Sequence, residues 1–162
     1  MRVYLVRHGK AARGGYAHDA DRPLTDRGKA DTERIARRMA KAGLSVQQIR
    51  HSGLVRAEQT AEILGRALNP PGGVIAVAGL HYADPVEPLA RELHLEEAPV
   101  MLVGHNPFME DLASALLTGE RGHRPLWFTT AATACFEYDH GAWSVRWMLT
   151  PEIAQKAKDG KR

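Results

Sequence analysis

Arg2-Val3-Tyr4-Leu5-Val6-Arg7-His8-Gly9 opens the chain on β-branched, aromatic and apolar residues and then turns abruptly polar. Apolar side chains that run together without polar alternation fit a strand buried on both faces. Strands of that kind belong to sheets with helices packed on either side, and the chain downstream supplies those helices. Thr25 is placed to cap a helix that carries Ile35, Met39 and Leu44 at compatible spacing up to a stop at Gly43. A second strand is expected at residues 46–51. A second helix follows at residues 57–68, with Ala57, Thr60, Ala61 and Leu64 on one face, before the turn cluster at residues 69–73.

A third strand at residues 74–77 leads to a helix over residues 86–95, weakened at its start by Pro85 and Pro88. Residues 99–103 form the plainest buried strand, ending in Gly104-His105-Asn106, and Pro107 then opens a helix that runs to Gly119. Strands at residues 134–138 and 143–149, joined through Asp139-His140-Gly141, form a terminal hairpin. Strands alternating with helices predict a three-layer α/β/α sandwich on a mostly parallel sheet.

The length of 162 residues fits one domain with a real core, and a hydrophobic fraction of 44% beside 25% charged residues excludes disorder as the main state. The formal net charge is +3, but residues 156–162 hold four basic residues and one acidic. The remaining 155 residues carry 18 of each sign. A domain over residues 1–155 followed by a basic tail is the expectation, and a tail alone is a poor argument for nucleic-acid or membrane binding. No apolar run reaches the length of a membrane span, no signal-peptide pattern opens the chain, and the single Cys135 cannot close an internal bridge. A cytoplasmic monomer is expected.

Two apolar strands end in the same way, at Val6-Arg7-His8-Gly9 and at Val103-Gly104-His105-Asn106-Pro107. Ligands of open α/β sheets bind beyond the carboxyl ends of the strands, so both histidines belong on the functional edge. A third polar burst, His51-Ser52-Gly53-Leu54-Val55-Arg56, enters the second helix. Arginines and histidines without a neighbouring cysteine suit a phosphoryl group better than a metal. A guanidinium offers a fixed fork of donors to phosphate oxygens, and a neutral imidazole can attack phosphorus. The spacing Gly9-Lys10-Ala11-Ala12-Arg13-Gly14 is not a nucleotide P-loop, since Gly15-Tyr16 stands where that motif needs Lys-Ser/Thr. No cofactor is expected. The tryptophans Trp127, Trp143 and Trp147 read as core or rim packing.

Arg-His-Gly after the first strand, Arg56-Ala57-Glu58-Gln59-Thr60-Ala61, and Gly104-His105-Asn106-Pro107 follow in an order that resembles the histidine phosphatase superfamily, in the branch that includes phosphoglycerate mutases. Arg22-Pro23-Leu24-Thr25 with Gly28, and Phe128-Thr129-Thr130-Ala131, resemble its short members, the SixA-type phosphohistidine phosphatases. The likeness runs from Arg2 to about Thr150. It implies a compact version of the fold without the large insertion of the mutases. It further implies His8 as the phosphorylated nucleophile, Arg7 and Arg56 as clamps on the phosphoryl oxygens, and His105 as a second histidine on the same oxygens.

The larger relatives carry an acid in the insertion that this chain lacks, so Asp19, Asp84 and Glu87 are the candidates for a proton donor. Arg22 and Asn106 are candidates for contacts to substrate, and Ser52 for a hydrogen bond within the pocket. A phosphoramidate needs that acid less than an ester does, because an imidazole leaves more readily than an alkoxide. The expected substrate is therefore phosphohistidine on a protein such as a phosphotransfer domain or a phosphocarrier. A small-molecule phosphomonoesterase or mutase, and a catalytically silent phosphoprotein-binding module, are the alternatives.

Overall fold

The computed structural model describes residues 1–159, with side chains for residues 1–155. Six strands form one sheet in the order β3-β2-β4-β1-β5-β6. These are β1 (Arg2–Arg7), β2 (Gln48–His51), β3 (Val74–Ala76), β4 (Val100–Gly104), β5 (Thr133–Asp139) and β6 (Ala142–Leu149). The first four are mutually parallel, while β5 runs antiparallel to β1 and β6 antiparallel to β5. Five α-helices cover the sheet: α1 (Asp26–Lys41), α2 (Val55–Leu68), α3 (Glu87–Glu92), α4 (Phe108–Thr118) and α5 (Pro151–Asp159).

The unbroken apolar runs of β1 and β4 are what allow helices on both faces. Val3, Leu5, Val100 and Leu102 join one core with Leu112, Ala113 and Leu116 of α4 and the half-buried Leu89 of α3. Tyr4, Val6, Met101 and Val103 join the other, with Ile35 and Met39 of α1, Ala61 and Leu64 of α2, and Ala154 of α5. Each fully buried leucine, isoleucine or phenylalanine contributes about 1.5–3 kcal/mol over its exposed state. The three-layer sandwich follows from this two-sided burial.

Local chemistry accounts for the element ends. Thr25 caps α1, its Oγ1 accepting the Gly28 N–H at 3.0 Å. Ala57, Thr60, Ala61 and Leu64 are all fully buried on one face of α2. The helix expected over residues 86–95 is shorter. Val86 gives no side-chain cap and Pro88 lies in the first turn, so α3 spans Glu87–Glu92 and tightens into a 3-10 turn at Leu93–Leu95. Pro107 precedes α4 rather than lying within it.

Helix α5 was not expected. Its start is marked by Thr150-Pro151, with the Thr150 hydroxyl accepting the Ile153 N–H at 3.4 Å. The basic side chains of residues 156–162 lie outside the described residues. Trp143 packs against Tyr138 and Trp147 against Tyr4, with ring centroids 5.2 and 5.9 Å apart. Trp127 is the exception to the packing expectation, at 79% exposure. Among the described residues no helix is long and apolar enough to cross a membrane.

Candidate active site

The register of the sheet brings the two histidines together. Arg7 at the end of β1 lies opposite Gly104 at the end of β4, and the His8 N–H donates to the Gly104 carbonyl at 2.9 Å. The next residue on each strand is a histidine, and the two imidazole centroids are 4.9 Å apart. Strand β2 runs parallel on the other side of β4, and the chain leaving it turns at Gly53 into α2, whose first turn carries Arg56. Arg7, His8, Arg56 and His105 thus line one cavity of about 590 Å³, together with Lys10, Arg13, Asp19, Arg22, Tyr82 and Asn106.

The motif residues around Arg56 serve as scaffolding. The Thr60 hydroxyl accepts the Gly9 N–H at 3.0 Å and donates to the Arg56 carbonyl at 2.7 Å. Gln59 Oε1 accepts the Leu24 N–H at 2.8 Å, which ties α2 to the loop before α1. Gly9 has no room for a side chain, since a Cβ there would meet Thr32 Oγ1 at 2.7 Å and the Gly28 carbonyl at 2.9 Å. On the far side, Ala131 adopts φ 61° and turns its N–H onto the carbonyls of both Arg7 and His8, at 3.0 and 3.1 Å.

His8 Nδ1 lies 2.6 Å from the Gly9 carbonyl. A carbonyl only accepts, so Nδ1 carries the hydrogen and Nε2 carries the lone pair. Burial, reinforced by the cations Arg56, Arg7 and Arg22, pushes the His8 pKa down to about 4 despite the opposing Gly9 bond. The imidazole is therefore neutral at pH 7. His105 is buried too, and its pKa falls to about 3, chiefly through desolvation and then through His8, Arg56 and His81. Ser52 Oγ lies 2.6 Å from His105 Nε2 and accepts the Leu54 N–H at 3.4 Å. Ser52 thus holds the orientation of the His105 ring through Nε2.

Arg7 Nη1 donates to the Phe128 carbonyl at 2.9 Å, and burial lowers its pKa against the opposing charge of Glu110. Arg56 is 3% exposed and donates from Nη1 to the Asp19 carbonyl and from Nη2 to Asp19 Oδ2. Arg7 Nε, Arg56 Nε and His105 Nδ1 are each buried without a hydrogen-bond partner among the described residues. Two guanidinium N–H groups without acceptors and an unpartnered imidazole nitrogen, on residues that line one cavity beside a neutral imidazole lone pair, form an arrangement chemically suited to a tetrahedral oxyanion.

The remaining sequence candidates separate cleanly. Asp19 reaches the cavity, where Arg22 Nε and Arg56 Nη2 hold its carboxylate at 2.9 and 3.0 Å. Its pKa is lowered, because those arginines outweigh the upward push of burial, so it is a counter-ion rather than a stored proton. Asp84 is not brought to the cavity: its Oδ2 accepts the His81 N–H and closes a local turn. Glu87 is not brought there either, and its carboxylate faces Arg121 at 3.5 Å. Arg22 spends Nε on Asp19 and Nη1 on the Ala12 carbonyl. Asn106 directs its amide N–H groups to Glu110 Oε1 and the Phe128 carbonyl, so it positions the loop that also holds Arg7. Both partners are acceptors, which fixes the orientation of that amide.

Tyr82, Lys10 and Arg13 also line the cavity. Sequence reasoning missed Tyr82, which stacks on His81 at 3.9 Å and meets the His105 ring edge-on at 6.0 Å. Only adjacency to His81 could have flagged it. Lys10 and Arg13 were seen in the sequence as part of a false P-loop. Among the described residues, no cluster of three or more His, Cys, Asp or Glu side chains is placed to hold a metal ion.

Comparison with known proteins agrees with this geometry. The family description "histidine phosphatase superfamily (branch 1)" matches residues 3–81. The phosphohistidine phosphatase SixA of Escherichia coli K12 is 30% identical over 98% of this chain and 99% of its own length. An uncharacterised protein of a Picosynechococcus species is 38% identical over 76% of this chain and 77% of its own. Among solved structures, the protein histidine phosphatase SixA complexed with tungstate superposes with a TM-score of 0.83 at 31% identity, covering 93% of this chain and 97% of that one. A cradle of two arginines and two histidines at the ends of β1, β4 and α2, on a sheet shared with these relatives, has one reading: the chain belongs to branch 1 of the histidine phosphatase superfamily and is a phosphatase.

Proposed function

We propose that this phosphatase removes phosphate from phosphohistidine displayed on a protein, through a covalent intermediate on His8. The observation that carries the reading is the neutral His8 imidazole, its lone pair on Nε2, beside the unpartnered nitrogens of Arg7, Arg56 and His105. His8 Nε2 attacks phosphorus as the bond from phosphorus to the substrate nitrogen breaks. The substrate imidazole, holding a hydrogen on its other nitrogen, departs as the neutral base. The Gly9 carbonyl supports the positive charge that develops on His8, since it already accepts from Nδ1. Water then attacks the phosphorus, the P–N bond to His8 breaks, and the ring returns to neutrality as inorganic phosphate forms with the proton passing to solvent.

The arginines and His105 meet the charge on the non-bridging oxygens throughout. Support for a phosphoramidate over an ester comes from Asp19: it is the carboxylate of the three candidates that reaches the cavity, and two arginines hold it ionised. An alkoxide leaving group needs a proton in the transition state, and an imidazole does not. The relatives described as phosphohistidine phosphatases, one of them holding a phosphate-like tungstate, point the same way.

The test is phosphate release from a phosphotransfer domain phosphorylated on histidine and from a simple phosphate ester, in parallel, with wild type and His8→Ala. Faster release from phosphohistidine, lost in His8→Ala, is the expected result, with a phosphorylated wild-type enzyme trapped by acid-free rapid quench. Turnover of the ester alone would move the substrate to small molecules. Binding of both without turnover would make the protein a phosphoprotein-binding module.

A further inference from the structure

We propose that Lys10 and Arg13 form a docking surface for an acidic face of the phosphorylated protein, beside the phosphoryl cradle. This deepens the reading of a protein substrate and rests on it. The cavity is lined by Arg7, Lys10, Arg13, Arg22, Arg27 and Arg56 against the single carboxylate of Asp19, in a body whose charges balance as a whole. Most of that excess is already committed. Arg7 and Arg56 aim at the phosphoryl group, Arg22 is paired with Asp19 at 2.9 Å, and Arg27 lies 3.7 Å from Asp31. The side chains of Lys10 and Arg13 make no hydrogen bond or ion pair among the described residues.

The backbone of residues 10–12, in contrast, is held firmly, and Arg13 follows directly. Ala11 pairs with Leu24 in an antiparallel bridge, and the Ala12 N–H donates to the Pro23 carbonyl at 2.9 Å. The Lys10 carbonyl accepts from the Thr25 N–H at 2.8 Å and from the Thr25 hydroxyl at 3.2 Å. Gly28 makes this approach feasible, because a Cβ there would meet the Lys10 carbonyl at 2.1 Å. Two unpaired cations are therefore presented from a fixed ribbon, which lowers the ordering cost of using them in binding.

The kind of partner follows from their exposure. A small anion is best held by buried, converging donors of the sort that Arg7, Arg56 and His105 provide. Lys10 is half-buried and Arg13 is exposed, so they suit a broad acidic surface that remains hydrated. Carboxylates on the substrate protein around its phosphorylated residue would meet them as the phosphoryl group enters the cradle.

The experiment compares wild type, K10E/R13E and the milder K10Q/R13Q on two probes: a histidine-phosphorylated phosphotransfer domain with acidic residues near its phosphohistidine, and free phosphoramidate. Exposed charge pairs are modest individually, so K10E/R13E should raise KM for the protein probe about tenfold at low salt. The K10Q/R13Q variant should raise it about threefold. Both effects should shrink as salt rises, with kcat within about twofold of wild type and a clearly smaller rise in KM for phosphoramidate than for the protein probe. Replacing the probe's acidic residues by lysines should restore K10E/R13E. An unchanged KM for the protein probe, or an equal loss on both probes, overturns the inference while leaving the protein-substrate reading intact. Wild type that turns over phosphoramidate but not the phosphorylated domain overturns that reading, and the inference with it.

Discussion

In the proposed mechanism His8 is set up as a nucleophile by one short contact. The Gly9 carbonyl engages the hydrogen on Nδ1, and burial among three arginines keeps the ring neutral far below the usual histidine range. The sign is definite: the active form is the unprotonated one, present above a pKa of about 4 and lost as pH falls through it. Once the substrate's own ionisation is divided out, the acid limb of kcat/KM should lie near pH 4 rather than at the ordinary histidine value, as a pH–rate series will show. In the same proposal Arg7 acts on the oxygens instead. Arg7→Ala should cost about 100- to 1,000-fold in kcat, the scale of one well-placed transition-state donor, measurable by steady-state phosphate release. His105 depends on Ser52, whose hydroxyl bonds Nε2 and holds the ring, which makes Ser52 a positioning residue.

At the scale of elements, the site is a junction of strand ends that loops lock in place. Helix α2 contributes Arg56 to the cradle and then ties down the Gly9 loop through Thr60 and the Leu24 segment through Gln59. This explains why a run of motif residues contains only one, Arg56, that lines the cavity. The strand end of β1 is closed from the other side by Ala131, a buried residue with a side chain in the left-handed region. Such a conformation costs of order 1–3 kcal/mol in a non-glycine residue. Glycine relieves that strain but loses more entropy on folding. Ala131→Gly should therefore leave stability unchanged or raise it by up to about 1 kcal/mol in urea unfolding. Most substitutions in a buried site lower stability.

At the scale of the whole molecule, acid should be the weak flank of stability. The folded pKa values of His8 and His105 are depressed to about 4 and about 3, and that of the buried His51 is lowered by desolvation. The unfolded chain therefore binds more protons below about pH 6.5, so stability is complete above that value and declines as pH falls toward 3–4. Urea midpoints measured between pH 7.5 and 4.5 should fall, and His105→Asn, which cannot charge, should lose less over the same interval.

The sequence by itself determined the layers and which residues meet at the ends of the strands. Unbroken apolar runs demand cover on both faces, and Arg7-His8 and His105 sit where such strands must end, so the fold and the meeting of these residues in one cavity were legible from pattern and motif together. The likeness to a family supplied the roles. Helix α5 was hidden because a short amphipathic segment after a hairpin reads like a tail. The proton-donor candidates could not be sorted by sequence, since Asp19, Asp84 and Glu87 all lie in loops or at helix starts. Only the tertiary structure turned Glu87 to Arg121, tied Asp84 to His81 and placed Asp19 between two arginines. Strand and helix follow from local periodicity, but the environment of a charged loop residue is set by partners distant in sequence, and those partners meet only when the sheet has assembled.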